Sequence, residues 1–352
     1  MSNDDGTQTS GSGRGSMDQL SAHIDRGWDL VHRGDFAGAQ TSAEKSLELD
    51  AESPEAYNLL GYARAALGDH ENALEHYRYA IALDDTFVEA MLNAAEVLIH
   101  PLHDFEGAMD LVDNALDFAE GEEELADALL VKFDAYLHQG ERDAALRVLG
   151  ELPAGPFESA RLEFLVGRAH HDVGEDAAAL AFLERAVERD ADNGDAFHCL
   201  GATLDALGRG QDATLALLRA RELDAQAPRA TWSLSPVAFE RLAREVVDTL
   251  PTELREAIEG ALVVITDLPG PEMIADGVDP RGEVLLDATS QAPEPPRAGR
   301  MFVYQRNVER SCEGPDALAE ELRHAIATEL AGVFPALRKA AGLDGDPDVV
   351  DG

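Results

Sequence analysis

Residues 54–85 read PEAYNLLGYARAALGDHENALEHYRYAIALDD. Within them Tyr57, Leu60 and Gly61 are followed by Gly68, and then by Ala73, Tyr77 and Ala80. Apolar and small residues at helical spacing predict two amphipathic helices, over 54–67 and 70–83, with the smallest side chains where the two backbones approach. The pattern recurs: Gly27, Gly61 and Ala95 stand 34 residues apart, as do Gly34 and Gly68, and Ala39 and Ala73. A helical pair of this size cannot bury its apolar face alone, so a fixed period predicts copies stacked on one another.

This spacing resembles the tetratricopeptide repeat. The first copy runs through Gly27, Leu30, Gly34, Phe36 and Ala39 to Leu49-Asp50, and Leu83-Asp84 ends the second in the same way. In the third, Pro101 lengthens the turn, and Phe105 and Ala108 arrive one residue late. In the fourth, Phe133 replaces the packing glycine, and Pro153 to Pro156 shorten the second helix. Register returns with Gly167 and Gly201, Gly174 and Gly208, and Ala179 and Ala213, each pair 34 apart. About six repeats over 17–234 are therefore expected, as a right-handed superhelix whose inner face belongs to the first helix of each pair. The resemblance implies a groove that binds protein segments. Asn58 and Tyr62, then Phe164, Arg168 and His171, then His198 and Asp205 would face it; each also reads simply as a side chain facing water.

The composition narrows the partners. The 352 residues carry 69 acids against 28 bases, a formal charge of −41, and lysine occurs only at positions 45, 132 and 339. Such a surface repels nucleic acid and anionic membrane, so neither is expected as a partner. It would attract basic segments, although a solvated acidic surface needs no partner at all. Cys199 and Cys312 fall in different expected domains, which argues against a disulfide framework. Cys199 beside Leu200-Gly201 reads as a small buried residue and Cys312 as a thiol in a polar loop. No run of 18 apolar residues is present, residues 1–16 read as a disordered tail, and a cytoplasmic location is expected.

Near Leu234-Ser235-Pro236 the period stops. Ser235 as N-cap and Pro236 as first residue open a helix over 237–250. Leu262 to Thr266 reads as a buried strand, 283–287 and 300–305 as further strands, and 291–298 as a Pro-rich loop. From Pro315, the spacing of Leu318, Leu322, Ile326, Leu330 and Phe334 predicts a long helix. Residues 344–352 read as an acidic tail.

The order Phe239, Leu250-Pro251, Val263-Val264-Ile265, Asp267-Leu268-Pro269, Gly282, Phe302-Val303-Tyr304 and then a helix is similar to a small bacterial zincin-like metallopeptidase family, over 235–343. The resemblance implies a small α+β domain with a His-Glu-x-x-His motif on the last helix, two histidines holding zinc and the glutamate acting as general base. Here the window is Thr328-Glu329-Leu330-Ala331-Gly332. Glu329 keeps the base position, but Thr328 and Gly332 replace both ligands, so no metal site and no cofactor are assigned. The histidine pairs 170/171 and 100/103 are not read as metal sites either.

The fold class expected is thus mainly α, a tetratricopeptide-type α-α superhelix followed by a small α+β zincin-like domain. The function expected is a protein-binding adaptor fused to a catalytically inactive metallopeptidase-like domain. The alternative is a zinc-dependent peptidase that uses His324 with Asp344 or Asp346, its repeats selecting substrates. A third reading is self-assembly through an uncapped last hairpin, unless Trp232 and Leu234 dock the C-terminal domain over it.

Overall fold

The computed structural model describes residues 12–287, 297–312 and 314–343. The chain divides into two compact units, the first ending at Val173 and the second beginning at Gly174.

Among the described residues of the first unit, nine helices follow one another: α1 (Ser12–His32), α2 (Phe36–Leu49), α3 (Pro54–Ala66), α4 (His70–Leu83), α5 (Val88–Ile99), α6 (Phe105–Phe118), α7 (Glu122–His138), α8 (Arg142–Leu149) and α9 (Ala160–Asp172). Each odd helix packs on the even one after it as far as α8, each even helix to α6 on the next odd one, and each odd helix on the next odd one. That is the contact pattern of stacked antiparallel hairpins. Local chemistry sets the boundaries. Ser53 accepts the N–H of Ala56 ahead of Pro54, and Asp35 and Asp104 cap α2 and α6 in the same way. At the turn between α3 and α4, Gly68 sits at φ 81°, a left-handed conformation that glycine reaches without steric cost. At Gly61 a methyl group would lie 2.7 Å from Cε1 of the buried Tyr77, so only glycine lets α3 and α4 close on each other here. The helix begins at Ser12, five positions inside the stretch read as a disordered tail.

The second unit opens with α10 (Asp176–Arg189), α11 (Gly194–Ala206) and α12 (Gly210–Gln226), which pack in succession. After them come α13 (Pro236–Thr249), α14 (Thr252–Ala257), β1 (Leu262–Thr266), α15 (Pro271–Ala275), β2 (Val284–Asp287), β3 (Arg300–Tyr304), α16 (Gln305–Arg310) and α17 (Leu318–Val333). The sheet order is β1-β3-β2, with β3 parallel to β1 and antiparallel to β2. Its core gathers Phe239, Val246, Leu254, Met301, Val303, Leu322 and Ile326, with Trp232 and Leu234 packed against it.

Two sequence expectations need correction here. Leu262 to Thr266 does form a strand, but as a sheet edge and not as a buried one: Leu262 is 61% exposed and Val263 40%. The central position goes to β3, which pairs on both sides, so the strand with the most apolar sequence is not the one the topology buries. Cys312 is half-buried against the core, its thiol donates to the carbonyl of Val308 at 3.3 Å, and burial pushes its pKa up. It is not an open, reactive thiol. Cys199 is buried. The Asp344 to Asp348 run and most of the Pro-rich loop lie outside the described residues.

Candidate functional site

In the first unit a groove of about 640 Å³ is lined by the first helices of the hairpins and the cap of one of them: Trp28 from α1, Tyr62 from α3, Glu89, Leu92, Asn93 and Glu96 from α5 with His100 at its C-cap, Glu124, Asp127, Leu130 and Asp134 from α7, and Arg161, Leu165, Arg168 and Asp172 from α9. The period explains why these residues meet. Trp28, Tyr62, Glu96 and Leu130 are successive 34-residue equivalents, so stacking sets them side by side on one wall. Trp28 and Tyr62 make edge-to-face contact with centroids 5.4 Å apart.

The wall is strongly acidic, with Glu89, Glu96, Glu124, Asp127, Asp134 and Asp172 facing Arg161 and Arg168. Burial pushes the Glu89 carboxyl up, and the hydrogen bond from Asn58 Nδ2, at 3.0 Å, only partly offsets this. Burial raises Glu96 and Asp127 as well, against the opposing pull of Arg161, and raises Asp172 against that of Arg168. Glu96 is exposed to the groove, so water offsets much of the burial that raises its pKa. A cation entering the groove would stabilise these anions.

The structure sorts the groove residues expected from the sequence. Tyr62 and Arg168 line the cavity. Phe164 lies under the Arg168 guanidinium, 5.6 Å from ring centroid to Cζ, and positions it. His171 is half-buried beside the cavity-lining Asp172. Asn58 is buried and bonded to Glu89 and Asn93, so it supports the wall from behind. In the second unit, His198 is drawn to Asp279, Nε2 to Oδ1 2.9 Å, and Asp205 is exposed. Sequence reasoning missed the acidic lining from α5 and α7. The signal was present, because Glu96 stands one period after Tyr62 and Asp134 one period after His100.

A second constellation joins the last repeat to the α/β part inside the second unit. Asp224 on α12, its side chain 7% exposed, takes Arg281 at 3.0 Å and also Arg310. Burial alone would raise its pKa, but these two guanidinium hydrogen bonds win and hold it below the ordinary value. Arg306 donates to the carbonyls of Asp224 and Ala227, Arg221 to that of Pro269 at 2.8 Å, and Arg229 pairs with Asp267. Glu309 accepts from Ser233 Oγ at 2.7 Å and from the N–H of Leu234 at 3.1 Å. Trp232 and Leu234 pack against the core of the second unit at this junction.

On α17, Glu329 is half-buried and its Oε1 accepts the N–H of Leu286 in β2 at 2.9 Å. Burial raises its pKa and that hydrogen bond lowers it. Tyr304 is pushed up to about 12 by burial and by the nearby Glu329 charge. Thr328 and Gly332 are exposed, and Thr328 Oγ1 lies 3.5 Å from His324 Nε2. A hydroxyl, a glycine and one imidazole do not fit a zinc ion, and Glu329 is held by the backbone of β2. No catalytic step follows from them.

A tetratricopeptide repeat family model matches residues 24–86, from the second half of α1 through α4. Among solved structures, the chain is similar to PilF of Pseudomonas aeruginosa at 17% identity, over 60% of this chain and 100% of that one, with a TM-score of 0.44. It is similar to TTC0263 of Thermus thermophilus at 20% identity, over 56% and 99%, TM-score 0.43. It is similar also to YrrB, a tetratricopeptide protein described as having an unusual peptide-binding site, at 21% identity, over 51% and 91%, TM-score 0.34. No curated protein matches the chain. None of the helices described is long and apolar enough to cross a membrane.

Proposed function

We propose that the first unit is a protein-interaction module whose groove takes a cationic, partly apolar segment of a partner protein. The observation that carries this reading is the wall of carboxylates lining the groove, set beside the Trp28 and Tyr62 rings. Lysine or arginine side chains would stabilise the anions, apolar ones would cover Leu92, Leu130 and Leu165, and the aromatic pair would grip the stems between. The α/β part is read as a non-catalytic, zincin-like cap. In support, Glu329 ties α17 to β2, and the flanking positions hold Thr328 and Gly332.

The test is fluorescence anisotropy with three labelled ten-residue probes: alternating Arg and Leu, alternating Glu and Leu, and Ser-Gly. The full chain is expected to bind the first selectively, with affinity falling as salt rises. Glu96→Gln together with Asp127→Asn should weaken that binding by about tenfold, or roughly 1.4 kcal/mol. Equal binding of the acidic probe, or no effect of the double variant, would sink the proposal.

A further inference from the structure

A different side-chain cluster sits at the end of the groove. His100 caps the C-terminus of α5, while Asp134 and His138 lie one turn apart on α7. His100 Nε2 is 2.9 Å from Asp134 Oδ2, and His138 Nε2 is 3.8 Å from Asp134 Oδ1. The imidazoles meet edge to face with centroids 4.8 Å apart, and one ligating atom from each of the three residues lies within 4.8 Å of the others. Among the described residues this is the one place where three such groups converge.

Hydrogen bonding explains only part of this arrangement. The His100 contact is a close ion pair, and 3.8 Å is too long for a hydrogen bond from His138, whose Nε2 faces the same carboxylate across a gap. Ligands of a tetrahedral zinc ion, each about 2.0–2.1 Å from the metal, stand about 3.3 Å apart. The two histidine–carboxylate distances, 2.9 and 3.8 Å, lie on either side of that value, and all three ligating atoms lie within 4.8 Å of one another. Side chains 47%, 38% and 44% exposed can make the small ring rotations needed, and water can reach a remaining coordination position.

We infer that His100, Asp134 and His138 form a binding site for a divalent transition-metal ion. Two imidazoles and one carboxylate suit zinc, cobalt or nickel, whereas calcium and magnesium select oxygen donors. The acidic wall beside the site raises the local concentration of any cation. The bound ion would clip the end of α5 to α7, joining the third hairpin to the fourth. The site stands whether or not the groove takes a peptide.

Zinc is the probe. The full chain, stripped with a chelator, is titrated with zinc in competition with a chromophoric chelator, and its melting midpoint is followed in parallel. The wild type and a His103→Ala control are expected to take up one equivalent and to melt higher with zinc. His100→Ala, His138→Ala and Asp134→Asn should each lose at least about tenfold in affinity and the melting shift. Circular dichroism is used to check that each variant is folded, and on the wild type alone the imidazole NMR signals of His100 and His138 should move with zinc while that of His103 does not. Retention of the zinc by a His100→Ala, His138→Ala double variant, failure of the wild type to hold zinc against the competitor, or equal movement of the His103 signal would overturn the assignment.

Discussion

Replacing Asp224 by alanine removes the anion on which Arg281 and Arg310 converge where the last repeat meets the α/β part. Deleting one partner of a fully buried ion pair costs about 3–5 kcal/mol, because the other charge stays desolvated. Here the penalty is smaller, since Arg281 keeps Asp195 at 2.8 Å and Arg310, 42% exposed, can turn to water. About 2–3 kcal/mol is expected, and for a unit of this size that lowers the melting midpoint by about 5–10 °C. Trp232, packed on the core of the second unit, reports its unfolding, and Trp28→Phe silences the other tryptophan. The pKa of Asp224 is held below its ordinary 3.8, so its contribution is complete above that value and lost as pH falls through the lower folded one. Wild type and Asp224→Ala should therefore converge in strong acid. A shift no larger than that of the exposed Asp195→Ala would refute the argument that the pairing holds the cap in place.

Gly61→Ala forces a methyl group to 2.7 Å from the Tyr77 ring, which is buried and cannot swing away, and should destabilise the first unit by about 1–3 kcal/mol in denaturant titrations. Gly332→Ala, with nothing within 4 Å, should be neutral or stabilise α17 by up to about 1 kcal/mol. Burial raises the pKa values of Glu89, Glu96, Asp127 and Asp172 above the ordinary 4.5 and 3.8, so the folded first unit binds more protons than the unfolded chain in that window. Its melting midpoint should rise on going from about pH 7 to about pH 5.5, and a steady fall over that range would contradict the raised values.

Much of the helical architecture was legible because its determinants are local. The hairpins need only nearby residues: Ser53 and Pro54 start α3, Gly68 turns the chain, and Gly61 admits Tyr77. The 34-residue period carried the reading further, since any two positions one period apart become neighbours once copies stack. Glu96 beside Tyr62 and Asp134 beside His100 follow from that rule, although they were not read from it. What the period cannot supply is anything that breaks it. His138 reaches His100 because it lies one turn beyond the equivalent position, at the end of α7.

The sequence by itself determined the repeats, their caps, the strong negative charge and the positions of three short strands. Only the tertiary structure decided that β3 is central and Leu262 lies on an edge, that Asp279 takes up His198, and that Asp224 gathers guanidiniums from positions 281 and 310. The physical reason is separation along the chain. Capping and hairpin packing act over a few to a few tens of residues, whereas strand order and ion pairs more than fifty residues apart depend on how the whole unit closes.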